Sequence, residues 1–432
     1  MGSPLRLWHP FTNSALDPAP IPIERAEGVW LYPKGGRRII DAISSWWVNL
    51  HGHANPRIAT AVAEQARKME HVIFAGFTHE SAERLAEGLR EWVSPRLKHL
   101  FFSDDGSTAV EVALKIAVQH FSNAGRPEKK EIVALEHGYH GDTAGAMSVS
   151  DDSPFTDAFR SMRFPVHRVP SPYTYRRPAG TTREEFLEDC IRQLASLLEE
   201  KSESVACLIL EPLVQAAGGM IVYPAEYLQK ARELCTKHDV LLIADEVLTG
   251  FGRTGKMFAC DLAGAVPDLM CLSKGITGGF LPMGVTLCTD RVEAAFRSEN
   301  RMHTFYHGHS YTGNALACAA ANASLQIFEE EPVFERIAAI SKINGERLRE
   351  VEKFSVVGET RQIGTIGAIE LRADDAGYLS AMRPKLYQFF LERGVLLRPL
   401  GNVIYVLPPY VISGDELHQV YDVIEEAVET LF

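Results

Sequence analysis

The sequence predicts an α/β fold with a large, mostly parallel sheet that carries helices on both faces, joined to a smaller α+β domain built from both chain ends. From about residue 80 to residue 325, short apolar runs of strand length alternate with segments of helix length. The two ends carry shorter strand signals. The 432 residues, of which 46% are hydrophobic, suffice for more than one core.

The elements of the large domain follow from their residues in chain order. Phe101 and Phe102 end an apolar run, and apolar residues from Ser107 to Phe121 then recur at helical spacing. Fully apolar runs predict buried strands at 132–135, 205–210, 240–244, 269–272 and 285–288, and residues 225–238 predict a helix. We therefore place the large domain at residues 56–328.

The two chain ends, residues 1–55 and 329–432, predict the smaller domain. Two strand-like runs at 28–32 and 38–42 flank Lys34-Gly-Gly, a hairpin pattern. After Glu330 we expect a helix, short strands at 364–371, 395–398 and 403–407, and a closing helix at 414–431. Residues 165–180, rich in Pro, Arg and Tyr, predict an irregular surface excursion.

Composition narrows the class of partner. The formal net charge is −12 and no block of Lys or Arg stands out, which argues against a nucleic-acid partner or an anionic membrane surface. No apolar run is long enough to span a bilayer, and the N-terminus shows no secretory pattern. The seven cysteines form no Cys-x-x-Cys pair. We therefore expect small-molecule substrates, buried free thiols and a cytoplasmic location.

Two charged residues at the ends of apolar strands suggest the chemistry. Lys274 follows the run at 269–272, and Asp245 ends the run that begins at Val240. A pyridoxal phosphate enzyme needs an amine for the Schiff base and an acid partner for the pyridine nitrogen. A buried carboxylate also needs a cationic partner, and a protonated pyridinium is one. The pair therefore indicates pyridoxal 5'-phosphate as cofactor.

Two further segments suit the same cofactor. Gly106, Ser107 and Thr108 follow a strand and open a helix, where backbone N–H groups and hydroxyls can hold a phosphate. The alternative is a simple helix N-cap. Tyr139 follows the next strand, in the crevice where open α/β sheets bind ligands, and can stack on a ring. Its alternative is a loop aromatic that covers the core.

Other motifs are weaker. The run Gly250–Lys256 matches short glycine motifs of nucleotide-binding proteins, but Met257 stands where a P-loop has Ser or Thr. Histidine pairs such as His51-x-His53 invite a metal site, yet no Cys or carboxylate spacing completes one. We expect no bound metal.

At this point the residues resemble the fold-type I, class III aminotransferases. The resemblance runs from Trp8 to the last helix and is densest from Leu242 to Lys256 and at Ser273-Lys274-Gly-Ile-Thr-Gly-Gly. More narrowly, the chain resembles the branch of that family that acts on 8-amino-7-oxononanoate in biotin biosynthesis with S-adenosylmethionine as amino donor. The narrower likeness rests on Ser44-Ser-Trp46-Trp47, His51-Gly, residues 138–143, His307-Gly-His309-Ser310 and residues 398–409.

The resemblance implies roles around pyridoxal 5'-phosphate. Lys274 would be the catalytic residue that holds the cofactor covalently, and Asp245 would bind its ring nitrogen. The phosphate would meet Gly106 and Ser107, and Tyr139 would stack on the ring. His309 and Ser310 would reach the phosphate of the neighbouring protomer, which implies a homodimer with shared active sites.

The resemblance also implies a reaction, the conversion of 8-amino-7-oxononanoate to 7,8-diaminononanoate. Arg398 would pair with the substrate carboxylate, a task that suits a guanidinium, although a surface ion pair is the alternative. Trp46 would wall the acyl chain, and Gly308 would allow close approach. The remaining residues expected at the substrate are Tyr139, Lys274, Arg253, Tyr405 and Phe11.

Alternatives stay open at this stage. Phe11 lies where members that use S-adenosylmethionine carry tyrosine, so lysine is a second possible donor, and His309 replaces a common proline. Another ω-aminotransferase, acting on ornithine, 4-aminobutyrate or a diamine, is the alternative within the family. A nucleotide-binding protein using Gly250–Lys256 is the alternative outside it.

Overall fold

The strands of the computed structural model, which describes residues 7–377 and 380–432, form four sheets. In chain order they are β1 (Ile23–Glu27), β2 (Trp30–Pro33), β3 (Ile39–Asp41), β4 (Leu97–Ser103), β5 (Glu131–Leu135), β6 (His167–Val169), β7 (Val205–Leu210), β8 (Val214–Gln215), β9 (Ile221–Val222), β10 (Leu241–Asp245), β11 (Leu269–Leu272), β12 (Gly284–Thr289), β13 (Val357–Ile363), β14 (Ile366–Leu371), β15 (Val395–Leu396) and β16 (Val403–Val406).

Right-handed helices connect and cover these strands. They are Pro56–Lys68, Glu80–Arg90, Gly106–Asn123, Ala144–Val149, Arg183–Lys201, Ala225–Lys237, Ala259–Ala263, Asp290–Ala294, Ala315–Glu330, Val333–Val351, Met382–Glu392 and Gly414–Leu431. Within residues 7–377 and 380–432, none of the helices has the length and apolar character that a bilayer crossing requires.

The largest sheet has seven strands in the order β4-β12-β11-β10-β7-β5-β6. Strands β11, β10, β7, β5 and β6 pair in parallel, whereas β12 runs antiparallel to both β11 and β4. Alternate residues face opposite sides of a strand. Ile209 and Ile243 pack with the helix Gly106–Asn123, while Leu208 and Leu242 belong to the core on the other face. The predicted mostly parallel sheet with helices on both faces is confirmed.

The carboxyl ends of the parallel strands meet at one edge of this sheet. Asp245 is the last residue of β10, Lys274 lies two residues beyond β11, and Glu211 follows β7 directly. Tyr139 lies in the loop after β5. Open α/β sheets bind ligands in the crevice at this edge, so chain order already brings these residues together.

The smaller sheets involve both chain ends. β2 and β3 form the expected hairpin, with Trp30 opposite Ile40, and β1 adds a strand that was not predicted. β15 pairs in parallel with β3 and so joins the two ends of the chain. The division into domains at residues 55 and 328 stays a prediction, and residues 1–6 of its first segment lie outside the described residues.

The expectation that residues 165–180 form only an irregular excursion is wrong. They contain β6, which pairs in parallel with β5 and forms an edge of the large sheet. Three residues are too few to show a strand period in the sequence. The sequence reasoning also missed β13, whose residues 358–361 are Gly, Glu, Thr and Arg, and the helix Met382–Glu392, which carries Pro384 in its first turn.

Candidate active site

A cavity of about 690 Å³ opens at the carboxyl edge of the large sheet. Five of the residues singled out from the sequence line it: Gly106, Ser107, Tyr139, Asp245 and Lys274. The structure therefore brings together the amine, the carboxylate, the aromatic ring and the helix start in one place. A volume of this size suits a small-molecule ligand.

Lys274 begins a 3-10 turn directly after Ser273, whose hydroxyl donates to the carbonyl of Met283 at 2.6 Å. The φ of Lys274 is +43°, in the left-handed region, which is an unfavourable backbone conformation for a lysine. Its Nζ lies 4.7 Å from the centroid of the Trp47 ring. Burial lowers the pKa of the Lys274 amine to about 8, although the nearby Asp245 and Glu211 carboxylates act in the opposite direction. A neutral, nucleophilic amine is therefore accessible near neutral pH.

Asp245 is only 4% exposed, and both of its carboxylate oxygens accept hydrogen bonds. Oδ1 accepts from the backbone N–H of Val247 at 3.1 Å, and Oδ2 accepts from Nδ1 of His140 at 2.7 Å. His140 is thus a partner of Asp245 that the sequence reasoning missed. The available signal was its place beside Tyr139 in the loop after β5.

The start of the helix Gly106–Asn123 carries an N-cap beside the cavity. Asp105 caps the helix, because its Oδ1 accepts from the N–H of Thr108 at 2.8 Å. The N–H groups of Gly106 and Ser107 take no part in that cap, and both residues line the cavity. The N-cap is therefore present, and the phosphate site at the adjacent residues stays a prediction.

Thr143 links the Ser107 hydroxyl to the carboxylate of Glu111, which lies on the same helix as Ser107. Its backbone N–H donates to Ser107 Oγ at 3.0 Å, and its hydroxyl donates to Oε1 of Glu111 at 2.6 Å. Glu111 also accepts the N–H of Gly145 at 2.6 Å. Neither Thr143 nor Glu111 was singled out from the sequence.

Glu211 is a second acid at the end of a buried strand, and the sequence reasoning missed it as well. Its Oε1 accepts the N–H of Tyr139 at 3.0 Å, and its Oε2 accepts the N–H of Ala216 at 2.9 Å. Burial raises the pKa of the Glu211 carboxyl to about 7. Burial, and next the Asp142 carboxylate, raise the pKa of the Tyr139 phenol, so that side chain stays protonated.

Three of the residues expected at the substrate, Phe11, Trp46 and Arg398, contact one another, and none of the three lines the cavity. Arg398 places its guanidinium carbon 4.7 Å from the centroid of the Trp46 ring, and the edge of Phe11 meets the same ring at 5.4 Å. Trp46 is 36% exposed, whereas Trp47 is buried and lines the cavity. The indole N–H of Trp47 donates to the hydroxyl of Tyr405 at 3.1 Å.

Arg253 does not line this cavity. It is buried, and its guanidinium donates to the backbone carbonyls of Pro408, Trp47 and Asn49 at 2.9, 3.3 and 3.0 Å. The surrounding run Gly250–Lys256 forms turns and opens no helix. A Cβ on Gly252 would lie 2.6 Å from Ile337, so protein atoms fill the space that a nucleotide phosphate would need.

Gly308, His309 and Ser310 also lie apart from the cavity of their own chain. Gly308 and Ser310 are exposed, and His309 Nδ1 accepts from the N–H of Tyr311 at 3.2 Å. Across residues 7–377 and 380–432, no group of three or more His, Cys, Asp or Glu side chains is arranged to hold a metal ion.

The cavity residues fit pyridoxal phosphate. An amine with a lowered pKa and a carboxylate supply the two contacts that its aldehyde and ring nitrogen require. Glycine at position 106 lets the helix start pack closely against Val247, because a Cβ there would lie 2.6 Å from a methyl group of that residue. Helix N-termini are suited to phosphate groups.

Comparisons with known proteins agree with this geometry. The sequence model of the family described as aminotransferase class-III matches residues 11–428. The adenosylmethionine-8-amino-7-oxononanoate aminotransferase of Synechococcus elongatus is 45% identical over 433 residues, which cover 100% of both chains. The protein of the same name from Geobacter sulfurreducens is 42% identical, covering 98% of this chain and 96% of its own.

Solved structures show the same fold. The crystal structure of adenosylmethionine-8-amino-7-oxononanoate aminotransferase from Methanocaldococcus jannaschii is 37% identical with a TM-score of 0.91, covering 98% of this chain and 96% of that one. An amine transaminase from an uncultivated Pseudomonas species, in its PLP-bound (internal aldimine) form, is 34% identical with a TM-score of 0.93, and the match covers 99% of each chain. The predicted fold type is confirmed.

Proposed function

Because the chain belongs to the class-III aminotransferase family, we propose that it transfers an amino group to 8-amino-7-oxononanoate and so makes 7,8-diaminononanoate in biotin biosynthesis. The observation that supports the proposal most directly is that Lys274, Asp245 and Trp47 line one cavity, while Trp46, the neighbour of Trp47 in the chain, contacts Arg398. The names of full-length relatives at 45% and 42% identity support the same substrate.

The residues of the chain divide the work around the cofactor. Bound pyridoxal phosphate supplies an electrophilic carbonyl and a ring that withdraws electrons from the reacting carbon. Lys274 would hold it covalently and, once released, would move the proton of the carbon that bears the amino group. Asp245 would keep the ring nitrogen protonated, and Tyr139 would cover the ring. Gly106 and Ser107 would hold the phosphate.

Binding of the substrate carboxylate is assigned to Arg398. Its guanidinium stacks on Trp46 and so presents its edge for a bidentate contact with a carboxylate. Trp46 and Phe11 supply apolar surface for the acyl chain, and Tyr405 acts through its hydrogen bond to Trp47. Arg253, which is buried, contributes by holding the backbone of Trp47 and Asn49.

We assign S-adenosylmethionine as the amino donor, because full-length relatives carry it in their names. Phe11 lacks the hydroxyl found in other users of this donor, so lysine is the competing donor. A donor panel with 8-amino-7-oxononanoate as acceptor, read by mass spectrometry of 7,8-diaminononanoate, separates the two. Product with lysine but none with S-adenosylmethionine would overturn the assignment.

Borohydride reduction followed by peptide mapping tests the cofactor assignment. The reduced phosphopyridoxyl group should lie on Lys274, and Lys274→Ala should fold but lose turnover. A group on any other lysine would contradict the proposal. Initial rates over a grid of both substrates should give the parallel lines of ping-pong kinetics.

A second candidate is an amine transaminase that acts on a different amine. The 34% identical Pseudomonas amine transaminase, which matches with a TM-score of 0.93, favours it. In that case the enzyme would deaminate simple amines, ornithine, 4-aminobutyrate or a diamine faster than it forms 7,8-diaminononanoate. Comparing kcat/KM for these amines with kcat/KM for 8-amino-7-oxononanoate decides between the candidates.

We also propose a homodimer with shared active sites, in which Gly308, His309 and Ser310 serve the cavity of the partner. Large apolar side chains near this segment are more than half exposed, an arrangement that a protein partner would bury. They are Ile73, Phe77, Met302, Tyr306 and Tyr311. Phe77→Glu combined with Tyr311→Glu should shift the mass in solution from dimer to monomer and abolish turnover.

The cytoplasm is the proposed compartment. All seven cysteines are buried free thiols, the state that a reducing compartment preserves. Cell fractionation with an antibody against the protein checks this assignment, and recovery from the periplasm would contradict it.

A further inference from the structure

Four consecutive residues, the last of which lines the cavity, have a left-handed backbone conformation. Ser44, Ser45, Trp46 and Trp47 have φ values of +53°, +45°, +69° and +76°, and none of them is glycine. Each such residue is unfavourable for an L side chain, so a run of four persists only where the surroundings hold it. We call residues Ser44–Trp47 the left-handed turn.

This turn places two tryptophans on different sides of the site. Trp46 meets Phe11 and Arg398, whereas Trp47 lies over the amine of Lys274 and donates to the hydroxyl of Tyr405. In right-handed or extended backbone the two side chains would point elsewhere. The conformation of the turn therefore sets both the substrate side and the lysine side of the site.

The carboxylate of Asp41 holds the beginning of the turn. Asp41 is buried, and its Oδ1 accepts the N–H of Ile43 at 3.2 Å. Its Oδ2 accepts the hydroxyl of Ser45 at 2.7 Å and the Nε2 of His53 at 2.8 Å. A buried carboxylate requires such partners, so loss of one of them disturbs the others.

His53, which follows the turn in the chain, donates a hydrogen bond to the Asp41 carboxylate. Its Nδ1 faces the amide nitrogen of Asn49 at 3.3 Å, which assigns the ring proton to Nε2 and hence to the bond with Asp41. The backbone N–H of His53 donates to the carbonyl of Gly28 at 2.7 Å, which anchors the histidine to the hairpin at the chain start.

Two further contacts hold the turn. At its beginning the hydroxyl of Ser44 donates to the carbonyl of Leu407 at 2.8 Å, and at its end Arg253 donates to the carbonyls of Trp47 and Asn49. Asp41 and His53 are therefore placed to control Ile43 and Ser45, where the chain enters the left-handed region.

We propose that Asp41 and His53 are positioning residues that keep the left-handed turn in place and so fix Trp46 and Trp47 for the long acyl substrate. This inference rests on the proposed function, because 8-amino-7-oxononanoate is the substrate that Trp46 contacts in it. Neither Asp41 nor His53 lines the cavity. Their effect on the reaction passes through the two tryptophans.

The test compares three variants with the holoenzyme. His53→Ala removes the donor to Asp41, His53→Gln keeps an amide donor, and His99→Ala is the matched control because His99 pairs with Asp290 on the exposed surface. We expect His53→Ala to raise KM for 8-amino-7-oxononanoate about tenfold, with kcat changed less than about threefold. His53→Gln and His99→Ala should keep KM within about twofold.

Two readouts besides activity report on the turn itself. His53→Ala should change the near-UV circular dichroism of the tryptophans and speed amide exchange in residues 43–49, whereas His53→Gln and His99→Ala should do neither. Ser45→Ala, which removes one hydrogen bond to Asp41, should show smaller changes of the same kind and covers the case in which His53→Ala does not fold.

Three results overturn the inference. KM unchanged in His53→Ala despite faster exchange means that the pair is structural only. His53→Gln as impaired as His53→Ala means that the hydrogen bond is not the cause. Unchanged exchange and circular dichroism mean that the pair does not hold the turn. If the wild-type enzyme fails to convert 8-amino-7-oxononanoate, the proposed function fails, and the last two readouts still decide whether the pair holds the turn.

Discussion

The pH dependence of cofactor attachment tests the environment of Lys274 directly. Burial lowers the pKa of its amine from the usual 10.5 to about 8, and only the neutral amine attacks a carbonyl. At pH 7 about 9% of such an amine is neutral, against about 0.03% of an ordinary lysine, a ratio of about 300. Attachment should therefore speed up as pH rises to about 8 and level off above it.

The assay mixes protein stripped of cofactor with pyridoxal phosphate, traps the product with borohydride and measures modified Lys274 by mass spectrometry. The same series with Nα-acetyl-lysine provides the reference, because dividing the two rates cancels the titration of the cofactor itself. The ratio of the two rates should fall about 140-fold between about pH 7 and pH 10.5, because the reference amine is still only half neutral at pH 10.5. Lys274→Ala gives the background from other lysines.

A ratio that stays constant over this range would refute the reasoning. It would mean that Lys274 titrates as an ordinary lysine, so burial does not make the amine nucleophilic. The carboxylates of Asp245 and Glu211, which act to raise the pKa of Lys274, would then outweigh desolvation.

Three further outcomes follow from the geometry. Arg398→Ala should raise KM for 8-amino-7-oxononanoate about tenfold or more with kcat nearly kept, and an unchanged KM would reject its carboxylate role. Asp245→Asn should lower single-turnover rates about a hundredfold or more, since an amide cannot keep the ring nitrogen protonated; rates near those of wild type would contradict this. Gly141→Ala should weaken retention of pyridoxal phosphate, because a Cβ at that left-handed position clashes with the hydroxyl of Ser107. Gly414→Ala, whose Cβ meets only Ile343 at 3.5 Å, is its matched control, and equal retention by both variants would exclude the clash.

The sequence could predict that Asp245 and Lys274 lie together at the cavity because their signals are local. Asp245 and Lys274 are charged residues at the ends of fully apolar runs, and strand ends of a parallel sheet meet at one edge. The partners of those residues depend instead on strand order. Glu211 meets the loop of Tyr139 because β7 lies between β5 and β10, an order that periodicity does not contain.

The left-handed turn marks the limit of local reasoning more sharply. Ser44-Ser-Trp-Trp carries no glycine, asparagine or other residue that favours positive φ, so propensity alone argues against its conformation. The conformation is held by Asp41, which lies shortly before the turn, and by Arg253 and Leu407, which are far from it in sequence. Tertiary contacts override local preference here, and the exposure of Trp46 beside the burial of Trp47 is the result.

The pairing of strands from the two chain ends affects when the site can form during translation. β3 pairs with β15, and the hydrogen bond from Trp47 to Tyr405 spans 358 positions. While a ribosome is still adding the residues after β14, Lys274 and Asp245 have already been made, but β3 still lacks its partner β15. A product cut short before β15 would retain Lys274 and Asp245 yet lack Arg398 and the contacts of Tyr405 and Leu407 with residues 44–47. Completion of the site near Trp46 and Trp47 therefore waits for the last part of the chain to be made.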